Sequence, residues 1–269
     1  MIIQKLLAVF LNRLNLYDFR WSIWGEYILK NIELLRYSIL SFKKQVGSDH
    51  QYIIYTDNVS FVLKYLDAGV DVREFPSDQN SQFCITSKAT WLKWCPSSRL
   101  DINQDEFCID SDVFLLKYPE EIDSILSNPK IKFAIMDEFF GQPYQHGAMH
   151  KKATPETPFV NAGFFLQKAG YNISLDLIEE FEWWQKNIKD NEQTHHDEQG
   201  ALAIALTKYL VNDELFILPK NKYVLISETS NTSIESLDDV TLFHATYPTH
   251  PAFYKFKHVL DEILNEQLK

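Results

Sequence analysis

Short apolar runs alternate with helix-like segments along most of the chain, and this alternation is the feature that most constrains its fold. The runs with the length and composition of strands are FRWSIWG, YIIYTDN, VDVREF, EFCID and KFAIMD. The segments between them have helical spacing, as in YILKNIELLRYSILSFKKQ, or an opening proline followed by acids, as in PEEIDSIL. Further helices are predicted around residues 59–67 and 87–95. The pattern indicates an α/β fold with a mostly parallel central sheet flanked by helices.

Acidic residues follow several of the predicted strands. Asp57 comes at the end of the second strand, Asp110 and Asp112 follow the fourth, and Asp137 ends the fifth. In sheets of this kind, ligands bind beside the carboxyl ends of the strands. We therefore expect the functional site at this edge of the sheet.

The charge balance excludes one class of ligand. The 269 residues include 26 Lys and Arg against 37 Asp and Glu, a formal net charge of −11. Binding to nucleic acid requires clustered cations for phosphate contacts, so no nucleic-acid partner is expected. The length and the 45% hydrophobic content are sufficient for one compact domain.

The cysteines and the apolar segments bear on the location of the protein. Cys84, Cys95 and Cys108 are odd in number and lack the spacing of a zinc site or a disulfide framework. No apolar run reaches the roughly 18 residues of a transmembrane helix. The N-terminal segment lacks the features of a cleaved signal. Together these features predict a reducing, cytoplasmic location.

The first residues form a separate predicted element. Residues 2–14, IIQKLLAVFLNRL, place their apolar side chains on one stripe of a helix. We expect residues 1–18 to form a helix packed on a domain that spans residues 19–269. The alternative is a weak contact of this helix with a membrane surface, which would make the location peripheral to the membrane, although the helix lacks a basic face.

The segment EFCIDSDVFLLKYP places two carboxylates one residue apart beside an apolar strand. Residues i and i+2 of an extended chain point the same way, so Asp110 and Asp112 address one point if the chain stays extended through Ser111. Burying unpaired carboxylates is costly, and carboxylate oxygens suit Mg²⁺ or Mn²⁺. We therefore predict a divalent metal site, which would in turn hold a diphosphate.

Three other segments carry polar residues suited to a ligand. In PFVNAGFFL, small residues after Asn161 let the backbone approach a ligand while the amide bonds hydroxyls, and a simple turn into a strand is the alternative. Lys88 precedes the Asp-x-Asp strand and is placed to meet a phosphate or a sugar hydroxyl, although an exposed lysine with no role also fits. In HHDEQGALAIAL, Asp197 and Glu198 open a helix, where acids also simply favour the helix dipole.

Taken in order, these motifs resemble those of nucleotide-sugar-dependent glycosyltransferases with the GT-A fold. CIDSDVFLL is similar to their metal-binding Asp-x-Asp, and YIIYTDN resembles their second nucleotide-binding strand. PFVNAGFFL and DEQGALAIAL resemble segments of family 8 and related retaining enzymes, and LFHATYP resembles a strand that ends in a metal-ligating His. The resemblance spans residues 20–255 and implies a single GT-A-type domain.

The resemblance also implies a function and a set of site residues. The implied activity is metal-dependent transfer of a sugar from a nucleotide diphosphate sugar, with a UDP-sugar favoured, to a glycan or other hydroxyl acceptor, with retention. The implied metal, Mn²⁺ or Mg²⁺, is held by Asp110, Asp112 and His244. The implied catalytic residues are Glu198 and Gln199, with Asp197 as the alternative to Glu198. The implied donor-binding residues are Thr56, Asp57, Lys88, Asp110, Ser111, Asp112, Asn161, Ala162 and Gly163.

The chain departs from the family pattern at two positions. Glu198 stands where the family has Asp, which leaves open whether Asp197 fills that role, and Thr246 stands where a Gly commonly follows the His. His250 is a competing metal ligand in the same segment. The first departure affects the identity of the catalytic carboxylate, and the second affects how closely the loop after His244 approaches the diphosphate.

Two other functions use similar sequence features. A haloacid-dehalogenase-like phosphatase also carries a strand-terminal Asp-x-Asp, but about a hundred residues precede the motif here, which is the wrong order for that class. A nucleotide-sugar-binding module without catalysis would be expected to lack an aspartate of the motif or the late His. Since both are present, transfer is the preferred interpretation.

Overall fold

A computed structural model describes residues 16–25, 27–66, 69–76, 91–94, 98–138, 143–226, 236–246 and 249–265. The predicted helix at residues 2–14 and the predicted donor contact Lys88 lie outside the described residues, as do Cys84 and Cys95. Within the described part of the chain, no helix is both long enough and apolar enough to cross a membrane.

Strands and helices alternate along the described residues, as the sequence predicts. The strands are β1 (Asp18–Ile23), β2 (Gln51–Thr56), β3 (Asp71–Glu74), β4 (Glu106–Ile109), β5 (Val113–Leu115), β6 (Phe133–Asp137), β7 (Val160–Gln167), β8 (Leu215–Leu218), β9 (Tyr223–Ile226) and β10 (Leu242–Ala245). The α-helices are α1 (Tyr27–Val46), α2 (Val59–Val62), α3 (Glu120–Ser127), α4 (Ile173–Asn187), α5 (Asp197–Val211) and α6 (Pro251–Asn265). Segments of 3₁₀-helix span Trp91–Trp94 and Pro143–Lys151.

The larger sheet confirms the predicted α/β architecture. Its strand order is β3-β2-β1-β4-β7-β6-β8. The pairs β2–β3, β1–β2, β1–β4 and β6–β8 are parallel, and β7 runs antiparallel to both β4 and β6. The carboxyl ends of β1, β2 and β4 therefore meet at one edge, where ligands bind in folds of this kind.

A second, smaller sheet was not predicted. It has the order β5-β10-β9, with β5–β10 antiparallel and β9–β10 parallel. Because β5 follows β4 directly in the chain, the Asp-x-Asp segment joins the two sheets.

Helices cover both faces of the larger sheet because its strands alternate apolar side chains between two cores. Phe19, Trp21 and Ile23 of β1 pack with α1 in one hydrophobic cluster. The opposite face packs against α4, α5 and the 3₁₀ turn, whose Trp91 and Trp94 are fully buried. A third cluster joins the small sheet to α6.

Two local predictions are wrong. The chain does not stay extended through Ser111, because β4 ends at Ile109 and a turn precedes β5 at Val113. In the segment predicted as a helix at 87–95, the described residues Trp91–Trp94 form a 3₁₀ turn instead. Both deviations lie beside the predicted site, where local geometry changes the direction of functional side chains.

Candidate active site and metal centre

The two aspartates lie on a turn that is bonded to both sheets. The Asp110 N–H donates to the Gly163 carbonyl oxygen in β7 (2.8 Å), and the Ala245 N–H in β10 donates to the Asp112 carbonyl oxygen (2.9 Å). The turn is closed by a bond from the Val113 N–H to the Asp110 carbonyl oxygen (3.3 Å). The turn, rather than an extended strand, thus brings both carboxylates to the junction of the sheets.

The three residues predicted as metal ligands lie together. One ligand atom from each of Asp110, Asp112 and His244 lies within 4.8 Å of the other two. His244 Nε2 is 3.1 Å from Asp112 Oδ1. Asp112 and His244 are buried, whereas the Asp110 side chain is 35% exposed. Two carboxylates and an imidazole fit Mn²⁺ or Mg²⁺, and the exposed side at Asp110 leaves room for ligands from a substrate.

The hydrogen bonds of Asn161 determine which nitrogen of His244 can bind a metal. Asn161 Oδ1 accepts the Gly163 N–H (2.9 Å), which fixes the orientation of the amide. His244 Nδ1 lies 2.9 Å from the same oxygen and must therefore donate to it. The lone pair of the neutral imidazole is then on Nε2, which faces Asp112, and this outer partner is typical of metal-binding histidines.

The charges of Asp112 and His244 are strongly linked. Burial alone would raise the pKa of Asp112, but the charge of His244 and hydrogen bonds from His244 and His250 hold the pKa well below its usual range. Burial alone would lower the pKa of His244, but Asp112, with Asp110 and Glu138 behind it, raises that pKa. Without a metal the pair therefore favours a carboxylate beside an imidazolium, and metal binding at Nε2 requires loss of that proton.

Lys93 is a site residue that the sequence interpretation missed. Its buried ammonium lies 3.1 Å from Asp110 Oδ1 and 3.3 Å from Glu198 Oε1, and it donates to the Ala162 carbonyl oxygen (3.3 Å). Burial alone would lower the pKa of Lys93, but Asp110 and Glu198 raise it, so the ammonium stays charged. The sequence interpretation assigned the cation to Lys88 in the same segment, because the sequence alone does not show which lysine the turn directs at the carboxylates.

The three predicted catalytic residues open α5 but have different surroundings. Asp197 is fully buried and accepts hydrogen bonds from the Ala148 N–H (2.8 Å), Trp184 Nε1 (2.7 Å), and the Thr194 N–H (3.1 Å) and Oγ1 (2.6 Å). Its carboxylate therefore anchors the start of the helix to neighbouring segments. Of the two alternative carboxylates, Glu198 is the one that contacts Lys93, and it also accepts a bond from Trp94 Nε1.

Gln199 belongs to a buried amide and carboxylate network beside the cluster. Its Oε1 accepts from the Ala162 N–H (3.3 Å) and Asn161 Nδ2 (3.4 Å). Its Nε2 donates to Glu138 Oε2 (3.4 Å) and to the Gln145 carbonyl oxygen (3.3 Å). Glu138 Oε2 also accepts from Asn161 Nδ2 (3.1 Å). The sequence interpretation included Asp137 at the end of β6 but not Glu138, the acid that follows it.

The other predicted donor-binding residues lie at the same edge. Thr56 is the last residue of β2, which lies two strands from β4, and Asp57 follows it. Asp57 Oδ2 accepts the N–H of Gly25, two residues after the end of β1 (2.9 Å). Ser111 occupies the turn between the two aspartates. Gly163 is required for packing: an added Cβ would lie 2.5 Å from two ring atoms of His244.

No protein-family model and no curated protein sequence matches the chain. Solved structures do match, and glycosyltransferases are among them. Mouse xyloside xylosyltransferase 1 has a TM-score of 0.54 at 12% identity, covering 85% of this chain and 96% of that chain. The galactosyltransferase LgtC, solved with donor and acceptor sugar analogues, has a TM-score of 0.56 at 10% identity, covering 91% and 95%.

The third structure is longer than this chain. GlyE of Streptococcus pneumoniae TIGR4 has a TM-score of 0.57 at 14% identity, covering 93% of this chain and 63% of that chain. Another LgtC structure is described as an active-site mutant in which a glutamine is replaced by glutamate. At these identities the shared feature is the fold, and this chain has the GT-A fold of nucleotide-sugar glycosyltransferases that its motifs predict.

Proposed function

We propose that this protein is a metal-dependent glycosyltransferase that transfers a sugar from a nucleoside diphosphate donor, a UDP-sugar, to a hydroxyl of a glycan or other acceptor. The observation that carries the proposal is the group formed by Asp110, Asp112 and His244 at the junction of the two sheets. In a GT-A fold this junction lies at the carboxyl ends of the strands, where a nucleotide sugar would bind. The fold of the similar solved structures supports the same reaction class.

The residues of this chain suit the chemistry of a diphosphate leaving group. When bound, a divalent ion supplies Lewis-acid neutralisation of the charge that develops on the departing diphosphate. Asp110, Asp112 and His244 would hold it, and Asn161 keeps the metal-binding nitrogen of His244 unprotonated in the neutral ring. Lys93 adds a fixed positive charge beside Asp110. Because Lys93 is already paired with Asp110 and Glu198, the bound ion would supply the positive charge that an anionic leaving group requires.

Glu198 and Gln199 are assigned to the part of the site beside the sugar carbon at which transfer occurs, and the configuration at that carbon is assigned as retained. The assignment rests on the resemblance of DEQGALAIAL and on the placement of both residues beside Lys93 and Asn161. The LgtC variant with an active-site glutamine replaced is consistent with a functional role for Gln199. An inverting reaction would need a carboxylate base, and Glu198 is then the candidate, since Asp197 is occupied by four hydrogen bonds. NMR of the first-formed product anomer distinguishes the two outcomes.

A thermal-shift screen of nucleotide sugars with and without Mn²⁺ tests the proposal. A ligand at about 100 times its Kd adds about 2.7 kcal/mol to the free energy of unfolding, which corresponds to about 5 °C for a domain of this size. We expect such a shift with UDP-sugars only when Mn²⁺ is present. Asp112→Asn should abolish the shift, because it removes a charged ligand at nearly constant volume. The variant also loses the buried ion pair with His244, so its melting temperature without metal is expected to fall, and the shift is measured relative to that lower value.

A phosphatase assay distinguishes the proposed glycosyltransferase from the phosphatase alternative. A phosphatase of the haloacid-dehalogenase type would hydrolyse a generic phosphomonoester and would lose that activity in Asp110→Asn. We expect no hydrolysis by the parent protein. Binding of UDP and Mn²⁺ by Asp112→Asn at the parent level would contradict the metal site itself.

A further inference from the structure

Both oxygens of the Asp112 carboxylate are held by histidines, and the two histidines play different parts. His244 Nε2 lies 3.1 Å from Oδ1, and His250 Nδ1 lies 3.2 Å from Oδ2. All three side chains are buried. His250 does not belong to the group of potential ligand atoms formed by Asp110, Asp112 and His244 among the described residues.

The contacts of His250 Nδ1 define its protonation. The same nitrogen lies 2.7 Å from the Ala245 carbonyl oxygen, which can only accept. Nδ1 must therefore carry a hydrogen, and this hydrogen is shared between the Ala245 carbonyl oxygen and Asp112 Oδ2. A protonated nitrogen has no lone pair for a metal. His250 thus donates to the far oxygen of Asp112 and leaves Oδ1 facing His244.

The backbone of His250 adds a second, independent observation. Its φ of 51° lies in the left-handed region, which costs a non-glycine residue about 1–2 kcal/mol. The residue directly precedes α6, which is fixed to the small sheet by Phe253, Phe256 and Leu260. Strained backbone of this kind persists where the surrounding structure enforces it, and here it accompanies a ring turned back onto the Asp112 carboxylate.

We propose that His250 is a positioning residue of the metal centre, holding the Asp112 carboxylate in the orientation that presents Oδ1 to the ion. The inference rests on the proposed metal-dependent function. Outer partners of this kind contribute about 10- to 100-fold to metal affinity. This proposal revises the interpretation of His250 as an alternative metal ligand. His244 binds the metal, and His250 orients Asp112, which binds the same ion.

The test compares two substitutions that both tolerate a left-handed backbone. His250→Gly removes the side chain, whereas His250→Asn retains an N–H donor close to the position of Nδ1. Mn²⁺ affinity of the full chain, measured by titration with detection of free Mn²⁺ by electron paramagnetic resonance, is the readout. We expect the Gly variant to bind Mn²⁺ about 10- to 100-fold more weakly and the Asn variant to retain most of the parent affinity.

Several outcomes would overturn the inference. Parent-level Mn²⁺ affinity in the Gly variant, or equal losses in the Gly and Asn variants, would show that the donor to Asp112 does not matter. Failure of the parent protein to bind Mn²⁺, with Asp112→Asn indistinguishable from it, would instead reject the proposed function. The two failures are therefore distinct.

A second measurement does not depend on the folding of a variant. Nitrogen-15 NMR of the histidine rings, recorded on the parent protein with added Mg²⁺, reports which ring nitrogens carry hydrogens. We expect His250 Nδ1 to remain protonated with the ion present, while His244 Nε2 is unprotonated. Loss of the hydrogen from His250 Nδ1 on addition of Mg²⁺ would make it a ligand and would contradict the positioning role.

Discussion

At the scale of single residues, the ammonium of Lys93 compensates negative charge inside the site. Three acceptors surround its ammonium, and two of them are carboxylates. A buried ion pair is weak evidence for stability as a whole, but removing one partner leaves an uncompensated charge and is strongly destabilising. Without Lys93, Asp110 and Glu198 would face each other with no cation between them in the metal-free protein.

Lys93→Met should therefore lower the free energy of unfolding of the metal-free protein by about 3 kcal/mol, the lower end of the range for breaking a buried pair. Methionine retains the apolar stem and removes the charge. Lys151→Met is the matched control, because Lys151 pairs with Glu192 on the surface, where such a pair contributes about 1 kcal/mol or less. Urea unfolding measures both variants. Equal effects of the two substitutions would mean that the buried ammonium has no special role.

The sequence could reveal the metal ligands but not this lysine. Asp110, Asp112 and His244 each stand in a short motif of distinctive residue types, and the structure brings them together. The choice between Lys88 and Lys93 depends on the direction of the chain through the 3₁₀ turn. A helical interpretation of that segment gives no basis for choosing Lys93, because the turn is fixed by burial of its tryptophans in the tertiary core.

At the scale of elements, the site depends on how closely β7 approaches β10. Gly163 in β7 lies against His244 in β10, and no side chain fits between them. The backbone of Gly163 also serves the site, because its carbonyl oxygen accepts from Asp110 and its N–H donates to Asn161. Gly163 thus links β7 of the large sheet to Asp110 on one side of the metal centre and to His244 on the other.

Gly163→Ala should weaken Mn²⁺ binding by about tenfold or more, because the added methyl group displaces the His244 ring from its position beside Asp112. The expected loss of folding stability is about 1–3 kcal/mol, which is typical of overpacking. Titration with Mn²⁺ and urea unfolding of the metal-free variant measure the two effects separately. A folded variant with unchanged Mn²⁺ affinity would show that the ring of His244 does not bind the ion.

The elements themselves were largely predictable, but their pairing was not. Apolar runs and helical spacing identified β1 to β4, β6 and the helices α1 and α3, because these signals are local. The antiparallel direction of β7 and the separate sheet of β5, β10 and β9 depend on contacts between distant segments. The same non-local pairing turns the chain at Ser111, so the prediction of two carboxylates at one point holds although the predicted extended geometry is wrong.

At the scale of the whole molecule, acidic residues lie at both ends of the strands of the central sheet. The carboxyl ends of β1, β2 and β4 carry the candidate site, and the acidic residues that follow the predicted strands were sufficient to predict that edge. The amino-terminal ends of β1 and β4 carry Asp18 and Glu106, which are paired in register. Neither acid was assigned a role from the sequence, because their burial follows from the three-dimensional packing at that end of the sheet.

Asp18 makes the stability of the molecule depend on pH at the end opposite the site. Both of its carboxylate oxygens are buried and have no hydrogen-bond partner among the described residues. Burial, followed by the charge of Glu106, raises its pKa to about 6, while Arg99 and Arg73 lower it and Asp101 raises it further to smaller extents. The unfolded chain has a pKa of about 3.9 at this residue. The native state therefore binds the proton more tightly, and its contribution to stability is present below about pH 4 and is lost as pH rises through about 6.

Asp18→Asn should therefore stabilise the protein at pH 8 and have little effect at pH 4. A pKa difference of about 2 units corresponds to about 3 kcal/mol, and the neutral amide avoids that cost at every pH. Urea unfolding of both proteins at pH 4, 6 and 8 measures the difference, and comparison at each pH cancels the titration of the groups they share. If the difference in unfolding free energy between the two proteins were the same at pH 4 and pH 8, the pKa of Asp18 would be equal in the native and unfolded states. In that case the charge of Asp18 would be compensated by Arg99, which also pairs with Glu106, and by Arg73.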